Sequence, residues 1–174
     1  MIKIGVISDT HGHLEPKVLN HFKGVDHIIH AGDIGLPWLL LELESVAPVT
    51  AVVGNNDAGL DYKEIELLQR DHRKFLVHHI VDPHAPADKI KRRIIRENPD
   101  VVILDYYLNT VQKDAADGME ILQDIKKQNR NTQIIMLSSQ ESYAKAAQTL
   151  AKGAVQYVIK DEKAFEKIAG LVNE

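Results

Sequence analysis

Three short polar motifs stand where apolar runs of this chain end: Asp9-Thr10-His11, Gly32-Asp33 and Gly54-Asn55-Asn56-Asp57. A carboxylate with an imidazole, a second carboxylate and an amide oxygen make a mixed nitrogen and oxygen donor set. Such a set suits Mn²⁺, Fe²⁺ or Zn²⁺ at a two-metal centre. The glycines before Asp33 and Asn55 let the backbone turn sharply and approach a bound phosphate. An isolated Asp or Asn at a strand end is more often a turn former or a helix N-cap. Three motifs in order, at three successive strand ends, favour a shared ligand. A second set follows in the later part of the chain: Asp105, Asp117-Gly118, Ser138-Ser139 and Lys160. A carboxylate flanked by a hydroxyl and an ammonium across adjacent strand ends could accept a phosphoryl group and neutralise its charge.

These residues need a scaffold that gathers strand ends. Ile2–Ser8, His27–Ala31, Val49–Gly54, Val101–Leu104, Ile134–Leu137 and Val155–Ile159 are apolar, rich in β-branched residues and bounded by polar positions or glycine. Such runs suit strands buried on both faces of a parallel sheet, and open α/β sheets bind ligands beyond the carboxyl ends of their strands. Leu14/Val18/Leu19/Phe22, Leu36/Leu39/Leu40/Leu43 and Phe165/Ile168/Ala169/Val172 keep helical spacing, with Pro37 placed in a first turn. Lys63–Gln69 alternates, residues 70–73 turn, and Lys74–His79 runs apolar again, which predicts a hairpin in place of a crossover helix. The fold class expected is α/β: a layered sheet of mostly parallel strands, helices on both faces, and one antiparallel hairpin.

Composition narrows the function classes. At 174 residues the chain suits one domain with a sizeable core. Cysteine is absent, which excludes disulfide and thiolate chemistry. A net charge of -4 argues against a nucleic-acid partner. The basic stretch Lys89–Arg96 reads as a solvated helix face, because Ile90, Ile94 and Ile95 keep helical spacing beneath it. No run approaches the roughly 18 apolar residues of a membrane span, and the expectation is a cytoplasmic protein without a membrane partner.

The first motif set, with Ser8-Asp9-Thr10-His11-Gly12 at its head, resembles the calcineurin-like metallophosphoesterases, in particular the small phosphodiesterases. The resemblance runs through Val77-His78-His79 to Pro99–Ile103 and covers about residues 1–103. It implies that Asp9 and His11 hold one metal, that Asp33 bridges, and that Asn55 and His78 hold the second. The two metals would activate a bridging hydroxide for in-line attack on phosphorus. That family closes its site with a Gly-His-Thr-His loop after the strand that here ends in Ile103. This chain has Leu104-Asp105-Tyr106-Tyr107-Leu108 instead, so both closing histidines are missing. His84, flanked by Pro83 and Pro86, is expected on a surface loop, and His13, His21, His27, His30 and His72 are expected to have no metal role.

The second set, together with Gly153-Ala154 before Tyr157–Lys160, resembles the C-terminal half of a response-regulator receiver domain over about residues 99–174. The resemblance implies that Asp105 is the phospho-acceptor, Ser138 the switch hydroxyl, Tyr157 the switch aromatic and Lys160 the lysine that neutralises the phosphoryl group. The paired acids that hold Mg²⁺ in that family have no counterpart here.

All nine histidines lie between His11 and His84, on one side of the strand Asp100–Asp105. The two resemblances meet in that strand, behind helix Asp88–Glu97, and no linker separates them. The expectation is therefore a chimera, engineered or recombined: one hybrid domain over 1–174, metallophosphoesterase-like over 1–103 and receiver-like over 104–174, sharing one continuous sheet. Asp105 would occupy the strand end from which the missing histidine loop springs. If it met Asp9 and Asp33, an oxygen-rich cluster suited to Mg²⁺ or Mn²⁺ would form, since carboxylates brought together repel unless a cation relieves them. The leading reading is a fold chimera with two incomplete active sites and no efficient catalysis, and residual divalent-metal binding (Mn, Mg, Zn or Fe) without turnover is the sharper hypothesis that competes with it. A weak metal-dependent phosphodiesterase and a receiver-like phospho-acceptor at Asp105 are the alternatives, with a phosphoester or a small phosphodonor as reactant. The edges left by the join allow self-association through an edge strand.

Overall fold

The computed structural model describes residues 2–79, 88–105, 118–138, 149–154 and 156–159. The apolar runs form strands β1 (Ile4–Ile7), β2 (His27–His30), β3 (Val49–Ala51), β6 (Val101–Asp105), β7 (Gln133–Ser138) and β8 (Gln156–Ile159). Between them lie helices α1 (Pro16–His21), α2 (Trp38–Glu44), α3 (Asp88–Glu97) and α4 (Gly118–Gln128). The hairpin is present as β4 (Ile65–Arg70) and β5 (Arg73–His79), antiparallel with Ile65 opposite His78. The helical pattern at Phe165–Val172 lies outside the described residues.

One expectation is corrected. The strands form two sheets, a three-stranded one of order β1-β2-β3 and a five-stranded one of order β4-β5-β6-β7-β8. Strand β6 bridges its neighbours in the larger sheet: it pairs in parallel with β5 on one side and β7 on the other. The two sheets stack. Ile4, Val6, Ile29, Ala31 and Val52 of the first meet Leu68, Phe75, Val77, Val101, Ile103, Ile135 and Leu137 of the second in one buried cluster. Period-two alternation sends the other residues of each strand outward. Ile7 and Ile28 pack under α1 and α2 with Val18, Leu39 and Leu43. Leu76, Val102, Leu104, Ile134 and Met136 pack under α3 and α4 with Ile90, Ile94, Ile121, Leu122 and Ile125. The layers therefore run helix, sheet, sheet, helix. The sequence could not separate one sheet from two, because strands buried on both faces read alike whichever layer covers them.

The start of β6 is held from both sides. Asp100 Oδ2 accepts the Lys74 backbone N–H at 2.7 Å, and the Asp100 carbonyl accepts that of Gln133 at 2.8 Å. Thr132 Oγ1 donates to the Pro99 carbonyl at 2.9 Å. Lys91 Nζ pairs with Asp124 across α3 and α4 at 2.7 Å and, with Lys127, holds that carboxyl below the usual aspartate range. No helix among the described residues is long and apolar enough to cross a membrane.

Burial also sets an acid limit on this fold. Desolvation lowers the pKa of His30 and of His78 to about 4. The unfolded chain takes up these protons near pH 6.5 and the folded chain does not, so stability falls as pH drops from about 6.5 to about 4. Denaturant titration at pH 7 and pH 5 should show a loss on the order of 3 kcal/mol. Stability that stayed flat across this window would contradict the burial of these imidazoles.

Candidate metal centre

The loops after β1 and β2 continue the ladder past the strand ends. Asp9 N–H donates to the Gly32 carbonyl at 3.0 Å, His11 N–H to that of Asp33 at 3.0 Å, and Gly12 N–H to that of Ile34 at 2.7 Å. This zipping holds Asp9, His11 and Asp33 at φ of 54, 46 and 55°, left-handed values that non-glycine residues adopt at a cost and that cluster at functional sites. Asp57 bolts the third loop to the second. Its carboxylate accepts the backbone N–H groups of Ile34, Gly35 and Gly54 at 3.0, 2.8 and 2.8 Å. Thr10 Oγ1 donates to the Ile34 carbonyl and accepts from His30 Nε2, which places His30 in support of the loop.

The side chains then converge. Nε2 of His11 lies 3.9 Å from Asp9 Oδ1 and 3.9 Å from Asp33 Oδ2. Asp33 is almost wholly buried, and its oxygens accept the backbone and side-chain N–H groups of Asn56 at 2.9 and 2.6 Å. His79 Nδ1 donates to the Ala31 carbonyl at 2.8 Å, and Nε2 points to Asn55 Oδ1 at 3.3 Å and Asp33 Oδ1 at 3.7 Å. A backbone acceptor on one ring nitrogen, with the other turned toward oxygen donors, is the usual setting of a metal-ligating histidine. The separations of 3.7 to 3.9 Å from His11 Nε2 and His79 Nε2 exceed a hydrogen bond. They match two donors sharing one ion, since ligands at about 2.1 Å from a metal lie about 3 to 4 Å from each other. Asp9, His11 and Asp33 form one group whose ligand atoms lie within 4.8 Å of one another, and Asp9, His79 and Asp105 form a second. The donors present fit a divalent cation.

Among the residues singled out in the sequence, Asp9, His11, Asp33 and Asn55 come together here, and Asp105 joins them. His78 does not: its Nδ1 bonds the Glu64 carbonyl at 2.9 Å. His79 takes that place. On β5, Phe75 and Val77 face the opposing sheet while Leu76 faces α3, so period two puts His79 on the site's face and His78 on the other. On β6, Val101 and Ile103 share the inner face and carry Asp105 with them, in register beside His79. Ser138 and Tyr157 lie within β7 and β8, and their side chains lie outside the described residues, as do His84, Asp117 and Lys160. His13 bonds Glu15, and His27 bonds Thr50, away from this cluster.

Two stacked sheets bring acidic and imidazole side chains together on the loops beyond their strand ends. A flavodoxin-like sheet, of order 2-1-3-4-5, also has its last three strands side by side in chain order, as β6-β7-β8 are here. The chain belongs to the calcineurin-like phosphoesterase superfamily through residues 2–105 and to the response regulator receiver domain family through residues 66–171, and it is a two-part chimera of them. The matches overlap over residues 66–105, which hold most of β4 with β5, α3 and β6, and the receiver match starts well before residue 99, where the sequence reading placed it.

A probable metallophosphoesterase from Methanothermobacter thermautotrophicus is 35% identical over 108 residues, covering 58% of this chain and 63% of that protein. A probable C4-dicarboxylate response regulator from Bacillus subtilis is 36% identical over 70 residues, covering 40% of this chain and 29% of that protein. Among solved structures, a predicted phosphoesterase from Streptococcus pneumoniae matches at 22% identity and a TM-score of 0.45, over 60% of this chain and 62% of that one. The chain thus spans less than two thirds of the length of either curated relative.

Proposed function

We propose that this chimera is one hybrid domain over residues 1–174, with a phosphoesterase-like part over 1–103 and a receiver-like part over 104–174, that binds a divalent cation and hydrolyses phosphodiesters inefficiently. The observation that carries the reading is the approach of Asp9, His11 and Asp33, whose ligand atoms lie within 4.8 Å of one another, with His79 Nε2 turned toward Asn55 and Asp33. The shared cores support a single domain, because Leu76, Ile90 and Ile94 pack with Ile121, Ile125 and Met136 across the join. A cation bound there would supply positive charge to a phosphoryl oxygen and acidify a water. The protein's part is to hold the donors: the left-handed loops fix Asp9, His11 and Asp33, and Ala31 fixes the tautomer of His79. Turnover is poor because Leu104-Asp105-Tyr106-Tyr107-Leu108 replaces the histidine loop that closes the family's site.

Hydrolysis of an activated phosphodiester such as bis(p-nitrophenyl) phosphate tests this. Expected is a slow, Mn²⁺-dependent rate that Asp33→Ala abolishes. A rate that ignores Mn²⁺, or that survives in Asp33→Ala, contradicts it. The phospho-acceptor reading is second, because Asp105 is only 2% exposed and lies against His79, which hinders a phosphodonor. A mass increase after treatment with a small phosphodonor, lost in Asp105→Asn, would promote it. A cytoplasmic location and pairing through β4 or β8, the edges of the five-stranded sheet, complete the reading.

A further inference from the structure

We infer that Asp105, a residue of the receiver-derived part, serves as a ligand to a divalent cation shared with Asp9 and His79, so that the ion staples the two halves of the chimera together. The inference rests on the reading of Asp9 as a metal ligand. It goes further by drawing a residue of the other family into the coordination and giving the ion a structural role.

Asp9, His79 and Asp105 come from three elements: the end of β1 in one sheet, and the ends of β5 and β6 in the other. Their ligand atoms lie within 4.8 Å of one another. The position follows from register. His79 and Asp105 are Cα partners on adjacent parallel strands, and both follow the inward-facing series that carries Val77 and Ile103. Asp105 Oδ2 lies 3.6 Å from Nδ1 of the His79 ring, and because Ala31 accepts the Nδ1 proton at 2.8 Å, His79 would ligate through Nε2. His79 and Asp105 are each only 2% exposed. A buried carboxylate facing a second carboxylate incurs both desolvation and like-charge repulsion, and a cation between them relieves both. Gly32 shapes the space from the other side, since a Cβ there would fall 2.5 Å from the His79 ring. A group of two carboxylates and one imidazole is also harder than the histidine-rich set it replaces, which moves relative affinity from Zn²⁺ toward Mn²⁺ and Mg²⁺.

Two readouts on the full chain test the inference. The first is the ratio of Zn²⁺ to Mn²⁺ affinity in Asp105→His, measured by calorimetry. A direct ligand predicts that the ratio rises at least tenfold over wild type. Loss of a partner that merely orients His79 also weakens binding about 10–100-fold, but it would leave the ratio unchanged. The second is the thermal midpoint with and without saturating Mn²⁺. Wild type should rise on adding Mn²⁺, and Asp105→Asn, relieved of the like-charge repulsion, should melt at or above the metal-free wild type yet fail to rise with Mn²⁺. An unchanged ratio together with a Mn²⁺ shift retained in Asp105→Asn overturns the role of Asp105 and leaves the metal reading intact. Absence of Mn²⁺ and Zn²⁺ binding by the wild-type chain overturns both.

Discussion

Asp57→Ala should destabilise the fold by about 4 kcal/mol, enough to unfold much of the protein near room temperature, because several buried donors are left unsatisfied at about 1–3 kcal/mol each. The carboxylate binds Ile34 N–H, Gly35 N–H and Gly54 N–H, which belong to two different loops. It is 4% exposed, so water cannot replace it cheaply. Asp57→Asn keeps one acceptor oxygen and should lose roughly half as much. Denaturant melts of the two variants against wild type provide the measurement. If Asp57→Ala were as stable as Asp57→Asn, the three-way cap would not be holding the loops.

Gly32→Ala should have the next largest effect, and it should strike binding and stability together. Gly32 sits at φ +102°, a region that side chains rarely adopt. The added Cβ would lie 2.5 Å from Cβ and Cγ of His79. Strained backbone at about 1–2 kcal/mol and overpacking at about 1–3 kcal/mol together give a loss of about 3 kcal/mol. The strain is relieved most easily by expelling the His79 ring, so Mn²⁺ affinity should fall at least tenfold by the scale of lost ligand support. Gly59→Ala is a useful control, since Gly59 is also at positive φ but has open space around the added carbon. Gly59→Ala should show the backbone cost alone, with metal affinity retained.

How much of this was legible in the sequence differs from motif to motif. The positions of Asp9, His11, Asp33 and Asn55 at strand ends follow from turn chemistry and apolar runs, both local properties of the chain. The hairpin was legible for the same reason. The choice between His78 and His79 was not. Phe75, Leu76 and Val77 are all apolar, so alternation gives no clue to which face meets the other sheet. That face is fixed only when the second sheet covers it. The division into two sheets was hidden for the same reason. Asp57 was visible as part of the Gly54–Asp57 motif, but its capping role needs backbone groups from Ile34 and Gly35, more than 20 positions away. The approach of Asp105 to Asp9 was legible as a condition on strand placement, and it arises by stacking of sheets in place of strand pairing.

The central claim is that donors centred on Asp9 bind a divalent cation. Asp9 belongs to both candidate groups, so one substitution disables both. Calorimetric titration of Mn²⁺ into the wild-type chain and into Asp9→Ala, each first shown to be folded by circular dichroism, tests it most directly. The account predicts saturable binding by wild type and none by Asp9→Ala. Absence of heat with the wild-type chain, or equal binding by the two proteins, would contradict it.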